Sequence, residues 1–272
     1  MLVGTPLGNL GDMSPRATAA LGEATLIACE DTRRTGRLLQ HLGLEAPRLQ
    51  RMDEHTEAEV VPGLLEAAAD GSVVAVVSDA GMPVLSDPGG RLVAAAAGAG
   101  IGVEVVPGPF AAALAASLSG LLDPTGRFVF EGFLPRKGRA RHDALAEAAG
   151  SSRATVIYES PHRVADTIGE LAGLCGGDRA VALCRELTKM HEETWRGTLA
   201  GAVAHLGDNP PRGEFVIVLA AAPPGAEPDD GLIRAALERR LSVGSTRRDA
   251  AAAVAEELGV AHNRAKRLAN DL

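Results

Sequence analysis

Apolar positions in the first hundred residues follow two alternating spacings. Met1–Gly4, Ala24–Cys29, Val73–Val77 and Gly102–Val106 read as strands. The Val73–Val77 run shows no polar alternation, which fits a strand buried on both faces. Pro15–Leu21, Thr35–His41, Glu57–Ala69 and Gly89–Ala99 carry apolar residues at helical spacing. This alternation predicts an α/β fold with a largely parallel sheet. A second set follows, with strands at Arg127–Glu131, Ala154–Tyr158, Ala180–Cys184, Glu192–Arg196 and Phe215–Leu219. Its helices are expected at Arg139–Ala149 and His162–Leu174. Pro107-Gly108-Pro109 lies between the two sets and can continue neither a strand nor a helix.

Ala222–Asp230 is rich in proline, glycine and acid and reads as a linker. Beyond it, Ile233–Leu241, Thr246–Leu258 and His262–Leu268 have helical periodicity. Ser245 or Thr246 can cap the second of these and Gly259 can end it, so the last two helices look like a helix-turn-helix. The expected organisation is an α/β domain over 1–108, a second over 109–222, a linker over 223–230 and a helical module over 231–272. A length of 272 residues is consistent with about two domains plus such a module.

Composition narrows the function classes. Aromatic residues make up 3% of the chain, which argues against a nucleic-acid reader that stacks bases on a sheet of aromatics. The net charge of −8 argues against coating nucleic acid by bulk positive charge. Two segments reverse that balance. Arg127–Arg141 holds five basic residues and one acid, and residues 232–272 hold eight basic residues against five acids. The three cysteines, Cys29, Cys175 and Cys184, contain no Cys-x-x-Cys pair. That excludes a closed disulfide framework and a zinc ribbon and fits a reducing cytoplasm. No metal site is expected. No basic-then-apolar leader is visible, and the apolar stretch Phe110–Leu122 is too short to cross a membrane.

Chemistry is expected where candidate strands end. Gly4-Thr5-Pro6-Leu7-Gly8-Asn9-Leu10 follows the first strand and lets a ligand approach the backbone; it equally suits a tight strand-to-helix turn. Ser78 to Gly89 follows the Val73–Val77 strand and combines small residues, two prolines and two carboxylates, as a rigid pocket or an ordinary β–α loop would. Val106 to Ala111 opens an Ala-rich helix. Cys29-Glu30-Asp31-Thr32-Arg33-Arg34-Thr35 interleaves acids and guanidiniums, either as a helix cap or as a rim that holds a phosphate-bearing substrate. Glu131 to Arg141 reads as a basic loop for an anionic backbone, or as a solvated face. Tyr158 to Arg163 and Cys184 to Lys189 follow strands of the second half.

Together these segments resemble the tetrapyrrole methylase superfamily, and within it the ribosomal RNA branch. The carriers are GTPLGNL at 4–10, EDTRRT at 30–35, SDAGMPVLSDPG at 78–89 and VPGPFAA at 106–112, then FEGFLPRKG at 130–138, YESPHR at 158–163, CRELTK at 184–189 and RGEFVIVL at 212–219. The resemblance implies two α/β domains, a cofactor cleft between them, a homodimer, and S-adenosylmethionine as methyl donor. It implies methylation of a cytidine 2′-oxygen in 16S rRNA, on naked RNA or on the small ribosomal subunit. Carried over by position, the cofactor would meet Leu7, Ala80, Gly81, Met82, Leu85, Phe110, Ala111, Tyr158, Glu159 and Gly213. Met82 departs from the acid or threonine common at that place, so main-chain contacts survive there better than a side-chain one.

A ribose hydroxyl is a poor nucleophile until its proton is taken, so a positioned base should help. Asp31 and Glu186 are candidate bases, and Lys189 could orient the ribose or a phosphate. Arg33, Arg34, Arg136, Lys137, Arg139 and Arg185 are candidate phosphate contacts. Two other readings stay open: methylation of a tetrapyrrole or other small acceptor, and a ligand-sensing regulator that binds nucleic acid through its terminal helices.

Overall fold

The structure is a computed structural model that describes residues 1–223, 230–242, 245–258 and 260–272. Most of the expected linker, and Gly259 as a helix stop, lie outside these residues. Met1–Ala221 forms one compact unit and Ala222–Leu272 another.

The first sheet contains β1 (Leu2–Val3), β2 (Leu26–Cys29), β3 (Arg48–Arg51), β4 (Val74–Val77) and β5 (Val105–Val106), in the order β3-β2-β4-β1-β5. Every pairing in it is parallel. The helices are α1 (Pro15–Glu23), α2 (Thr32–His41), α3 (Glu57–Ala69) and α4 (Gly90–Gly98). Ile27, Cys29, Ala75 and Val77 pack with α1 and α2 residues such as Leu21 and Leu39. Leu26, Ala28 and Val76 pack on the other side with Leu64 of α3 and Leu92 of α4. Alternate strand residues face opposite sides, so both faces of a covered sheet must be apolar. The edge strand β3, Arg-Leu-Gln-Arg, has no such run and was not expected from periodicity.

The first sheet is parallel as expected; the second, for which periodicity predicts no pairing, is mixed. It contains β6 (Phe128–Phe133), β7 (Ala154–Glu159), β8 (Ala180–Arg185), β9 (Glu193–Thr198) and β10 (Phe215–Leu219), in the order β6-β7-β10-β8-β9. Only β6 and β7 pair parallel; the other neighbours are antiparallel. The last strand inserts between β7 and β8, and the seven residues 186–192 join β8 to β9 as a hairpin rather than a crossover. α5 (Ala111–Ser119) covers one face through Ala112, Ala115 and Ala116 against Val156, Ala182, Val216 and Val218. α6 (Gly138–Gly150), α7 (Val164–Cys175) and α8 (Leu199–Asp208) cover the other, against Ile157, Leu183, Ile217 and Leu219. α8 was not expected; Thr198 caps it, its hydroxyl accepting from Gly201 N at 3.2 Å.

In the second unit, α9 (Asp230–Ser242), α10 (Arg247–Leu258) and α11 (His262–Asn270) share a core that includes Ile233, Leu237, Val254 and Leu268. Thr246 caps α10, its hydroxyl accepting from Asp249 N at 3.2 Å. No helix among the described residues is long and apolar enough to cross a membrane.

Candidate functional site

Strand order decides which loops meet. β1 lies between β4 and β5, so the loops after all three strands leave the carboxyl edge side by side, where ligands of such sheets bind. Thr5 N donates to Gly81 O at 2.9 Å and Gly81 N to Thr5 O at 3.1 Å. The Thr5 hydroxyl also reaches Ser78 O at 3.2 Å. On the other side, Gly4 and Gly108 touch through their backbones: a Cβ on Gly4 would lie 2.6 Å from Gly108 Cα. Gly108 N donates to the Met82 sulfur at 3.2 Å. The unusual Met82 therefore clamps the Pro-Gly-Pro turn, leaving main-chain groups to meet a ligand here.

The second sheet presents one end to these loops. Its pairing aligns Glu159 and Arg185 with Phe215, and Phe133 with Tyr158. The carboxyl ends of β6, β7 and β8 and the amino end of β10 thus gather, although their motifs are far apart in sequence. Three contacts join the two sheets' loops. Ala112 N donates to the Tyr158 hydroxyl at 3.0 Å, so Tyr158 satisfies a free amide in the first turn of α5. A Cβ on Gly8 would meet Lys189 Cγ at 2.4 Å, so the lysine stem lies on the first loop. A Cβ on Gly132, in the β6 bulge with φ +64°, would lie 2.3 Å from Ser86 Oγ.

Around these contacts lie apolar side chains and loop main chain. Leu7, Met82, Phe110 and Ala111 are half-buried and Leu85 is exposed, an apolar lining beside loop main chain. Gly81 has φ +88°, and a Cβ there would fill the space beside Leu7 and Pro109 O. Ala80 is half-buried beside it. Gly213, φ +76°, abuts the Glu186 carboxylate, where a Cβ would lie 2.6 Å from it. The residues expected to hold the cofactor are thus mostly brought together. Glu159 needs a correction: its carboxylate is fully buried and accepts from Ser160 N, Arg163 and the Thr167 hydroxyl, each at 2.8 Å. Only its main chain is left for a ligand.

Both candidate bases are already engaged. Asp31 is the N-cap of α2, accepting from Arg33 N at 2.8 Å, and the Arg33 guanidinium beside it holds its carboxyl below the usual range. Glu186 accepts from Glu214 N and from Lys189 Nζ, each at 2.9 Å. Burial pushes its pKa up, but these donors outweigh that and lower it. Lys189 Nζ also pairs with Glu214 at 2.9 Å; burial lowers its pKa, but its two carboxylate partners outweigh that and raise it. Glu186 (φ +51°) and Thr188 (φ +67°) are both left-handed, so their turn is held in a strained form.

The structure reveals a carboxylate that sequence reasoning saw only as part of a loop. Asp87 is half-buried, and burial, then the charges of Glu30 and Asp79, push its pKa up to about 7 against an opposing hydrogen bond from Ser78. Its charge also raises Tyr158, whose hydroxyl is pushed by burial first to about 12. Glu30 comes from the end of β2 and accepts from Asp79 N at 3.0 Å; burial raises its pKa as well. Asp79 Oδ1 is buried and finds no partner among the described residues. The loop carrying Asp87 has Val84 at φ +77° and Ser86 at φ +69°, costly for non-glycine residues. Glu57 of α3 anchors its far end, accepting from Gly89 N at 3.0 Å and Arg91 N at 2.8 Å. The sequence signal for Asp87 was its place as one of two carboxylates in the loop of small residues and prolines that follows the Val73–Val77 strand.

The candidate phosphate contacts divide. Arg34 pairs with Asp79 at 3.2 Å, Arg185 with Glu193 at 3.0 Å, Arg33 with Asp31 at 3.3 Å and Arg139 with Asp143 at 3.5 Å. Arg136 and Lys137 are exposed on the loop after β6. Among the described residues no group of three His, Cys, Asp or Glu could hold a metal ion.

The family model for tetrapyrrole (corrin/porphyrin) methylases matches residues 1–203. The chain is 46% identical to a ribosomal RNA small subunit methyltransferase I of Synechocystis, over 94% of this chain and 91% of that protein. It is 44% identical to the protein of the same name from Mycobacterium tuberculosis, over 94% and 88%. Among solved structures, the methyltransferase CobJ shares the fold with a TM-score of 0.60 at 24% identity, covering 80% of this chain and 91% of that one.

Proposed function

The chain belongs to the tetrapyrrole methylase family, and from that membership we propose that it methylates a cytidine 2′-oxygen of 16S rRNA in the small ribosomal subunit, using S-adenosylmethionine. The observation that carries this reading is near-full-length similarity to ribosomal RNA methyltransferases, together with the loop cluster just described. When bound, S-adenosylmethionine supplies a methyl group on a sulfonium. The chain's work is then to align and to move one proton.

Leu7, Ala80, Gly81, Met82, Leu85, Phe110, Ala111, Tyr158 and Gly213 form the walls of the cofactor site, with Glu159 present through its backbone. Asp87 takes the ribose proton: its loop meets the β6 bulge through Ser86 and Gly132, and burial first, then the charges of Glu30 and Asp79, push its pKa up to about 7. Asp31 shapes the rim as a helix cap. Glu186 and Lys189 lock the strained turn against Gly213 and the first loop, and the lysine can orient the ribose. Arg136, Lys137 and Arg139 meet phosphates, with Arg33, Arg34 and Arg185 as charge-balanced secondary contacts. Residues 1–108 and 109–222 act as two lobes, and the protein works as a cytoplasmic homodimer.

The test is transfer of label from tritiated S-adenosylmethionine to small subunits, naked rRNA or a tetrapyrrole precursor. Label on one ribose of the RNA supports the reading; label on the tetrapyrrole alone overturns it.

The terminal helices serve as an RNA-docking module in this reading. Arg240 and Arg264 form ion pairs with Glu257 and Asp230, whereas Arg239, Arg247, Arg248 and Lys266 are exposed cations. Deleting residues 228–272 should weaken subunit binding by about tenfold or more at moderate salt and flatten its salt dependence. Cofactor affinity, measured by calorimetry, should stay within about twofold, because the site lies in the first unit. Unchanged subunit affinity across a salt series would remove the docking role.

A further inference from the structure

The basic run Arg127–Arg141 does not present all its charge to solvent. Arg141 is buried, with its side chain 9% exposed. Its Nη1 donates to Pro135 O at 3.2 Å, its Nη2 to the Thr167 hydroxyl at 2.9 Å and its Nε to Glu170 at 2.9 Å. Arg163 Nη1 donates to Leu134 O at 3.2 Å while its Nη2 pairs with Glu159 at 2.7 Å. Thr167, fully buried, donates to the second oxygen of Glu159. Two guanidiniums, two carboxylates and one hydroxyl therefore end on two consecutive carbonyls, where β6 gives way to the loop with Arg136 and Lys137 and the first turn of α6 with Arg139.

Burying such charges is costly unless every donor is used, and a solvated arginine would offer a phosphate the same charge without that cost. The network also begins at Glu159, next to Tyr158, which holds the first turn of α5 beside the cofactor site. We propose that Arg141 and Arg163 are positioning residues for RNA: they fix the backbone of Leu134 and Pro135, so the exposed cations of the loop meet the substrate's phosphates in one arrangement. The proposal rests on the RNA methyltransferase reading above. It gives Arg141, counted in the sequence only as one charge of the basic run, a role through its neighbours.

Two measurements on the full chain test it. In Arg141→Met, NMR relaxation should show backbone order at residues 136–139 falling to an order parameter of about 0.6 or below while β10 is unchanged. Small-subunit binding should weaken about 5- to 20-fold, with cofactor affinity unchanged. In an R136A/K137A/R139A background the same substitution should cost less than about twofold, because the charges it positions are gone. A merely structural role would lower affinity by the same factor in both backgrounds, and that result would overturn the proposal. So would unchanged backbone order at 136–139 with wild-type binding intact. If Arg141→Met fails to fold, Glu170→Gln, on the half-exposed partner, should act in the same direction and is judged by the same criteria. Failure of the unsubstituted protein to bind subunits would overturn the functional reading instead, and the relaxation measurement would still decide the anchor.

Discussion

Asp87→Asn lowers the single-turnover methylation rate on bound RNA by about 10²- to 10⁴-fold, the usual contribution of a general base. In the unsubstituted protein the rate should rise with pH through about 7 with the titration of one proton, following Asp87. The asparagine variant should lose that step. Cofactor affinity should change little, because the walls of the site are main chain and apolar side chains. Asp31→Asn and Glu186→Gln should show no such loss of the pH step, since both carboxyls are held below the ordinary range and are ionised throughout.

Stability gives an independent check. Asp87 has a folded pKa raised above that of the unfolded chain, so the folded state holds the extra proton between about pH 4 and 7. Stability from this group is fully present below that window and declines as pH rises through it. Asp87→Asn should therefore be more stable than the unsubstituted protein at pH 8, by about 1–2 kcal/mol after allowance for its partial exposure. The two should converge near pH 4. Thermal unfolding across pH reads this directly. A variant with a normal rate and an unchanged pH profile would remove Asp87 from the chemistry.

Gly108→Ala has the next largest expected effect. Its Cβ would lie 2.7 Å from Gly4 Cα and 2.8 Å from Gly4 C. Neither backbone can retreat, because Gly4 N is bonded to Val106 O at 3.0 Å and Gly108 N to the Met82 sulfur. Such overpacking costs about 1–3 kcal/mol. The strain falls on the turn that carries Phe110 and Ala111, so cofactor affinity should drop more than about tenfold. Gly36→Ala is the control: it lies within α2 with nothing within 4 Å of the added Cβ, and should be neutral or stabilising by up to about 1 kcal/mol. Calorimetric titration with S-adenosylmethionine and thermal unfolding measure both. Near-normal affinity in Gly108→Ala would show that the close approach of the two glycines does not shape the site.

Val74–Val77, Phe215–Leu219 and Glu57–Ala69 were legible in the chain because each buries a face or both faces, and burial leaves a local apolar period. The loop motifs were legible too, since each follows such a strand. Arg48–Arg51 was not, because an edge strand with polar residues has no period to read. Arg141 counts as one more surface cation until Glu170 and Thr167, at least 26 residues away, enclose it.

The sequence by itself determined where most strands and helices lie, which loops follow the strands, and that two basic segments interrupt an acidic chain. These properties reside in a few neighbouring residues, and their periodicity and composition are enough to reveal them. Tertiary structure alone decided the antiparallel pairing of the second sheet, the contact of Gly4 with Gly108 and the fate of each charge. Asp87 is pushed up to about 7 by burial first and then by the charge of Glu30, more than fifty residues earlier, which comes near only because β2 and β4 are neighbours. A carboxylate's readiness to take a proton depends on burial and nearby charge, and both are properties of the assembled fold.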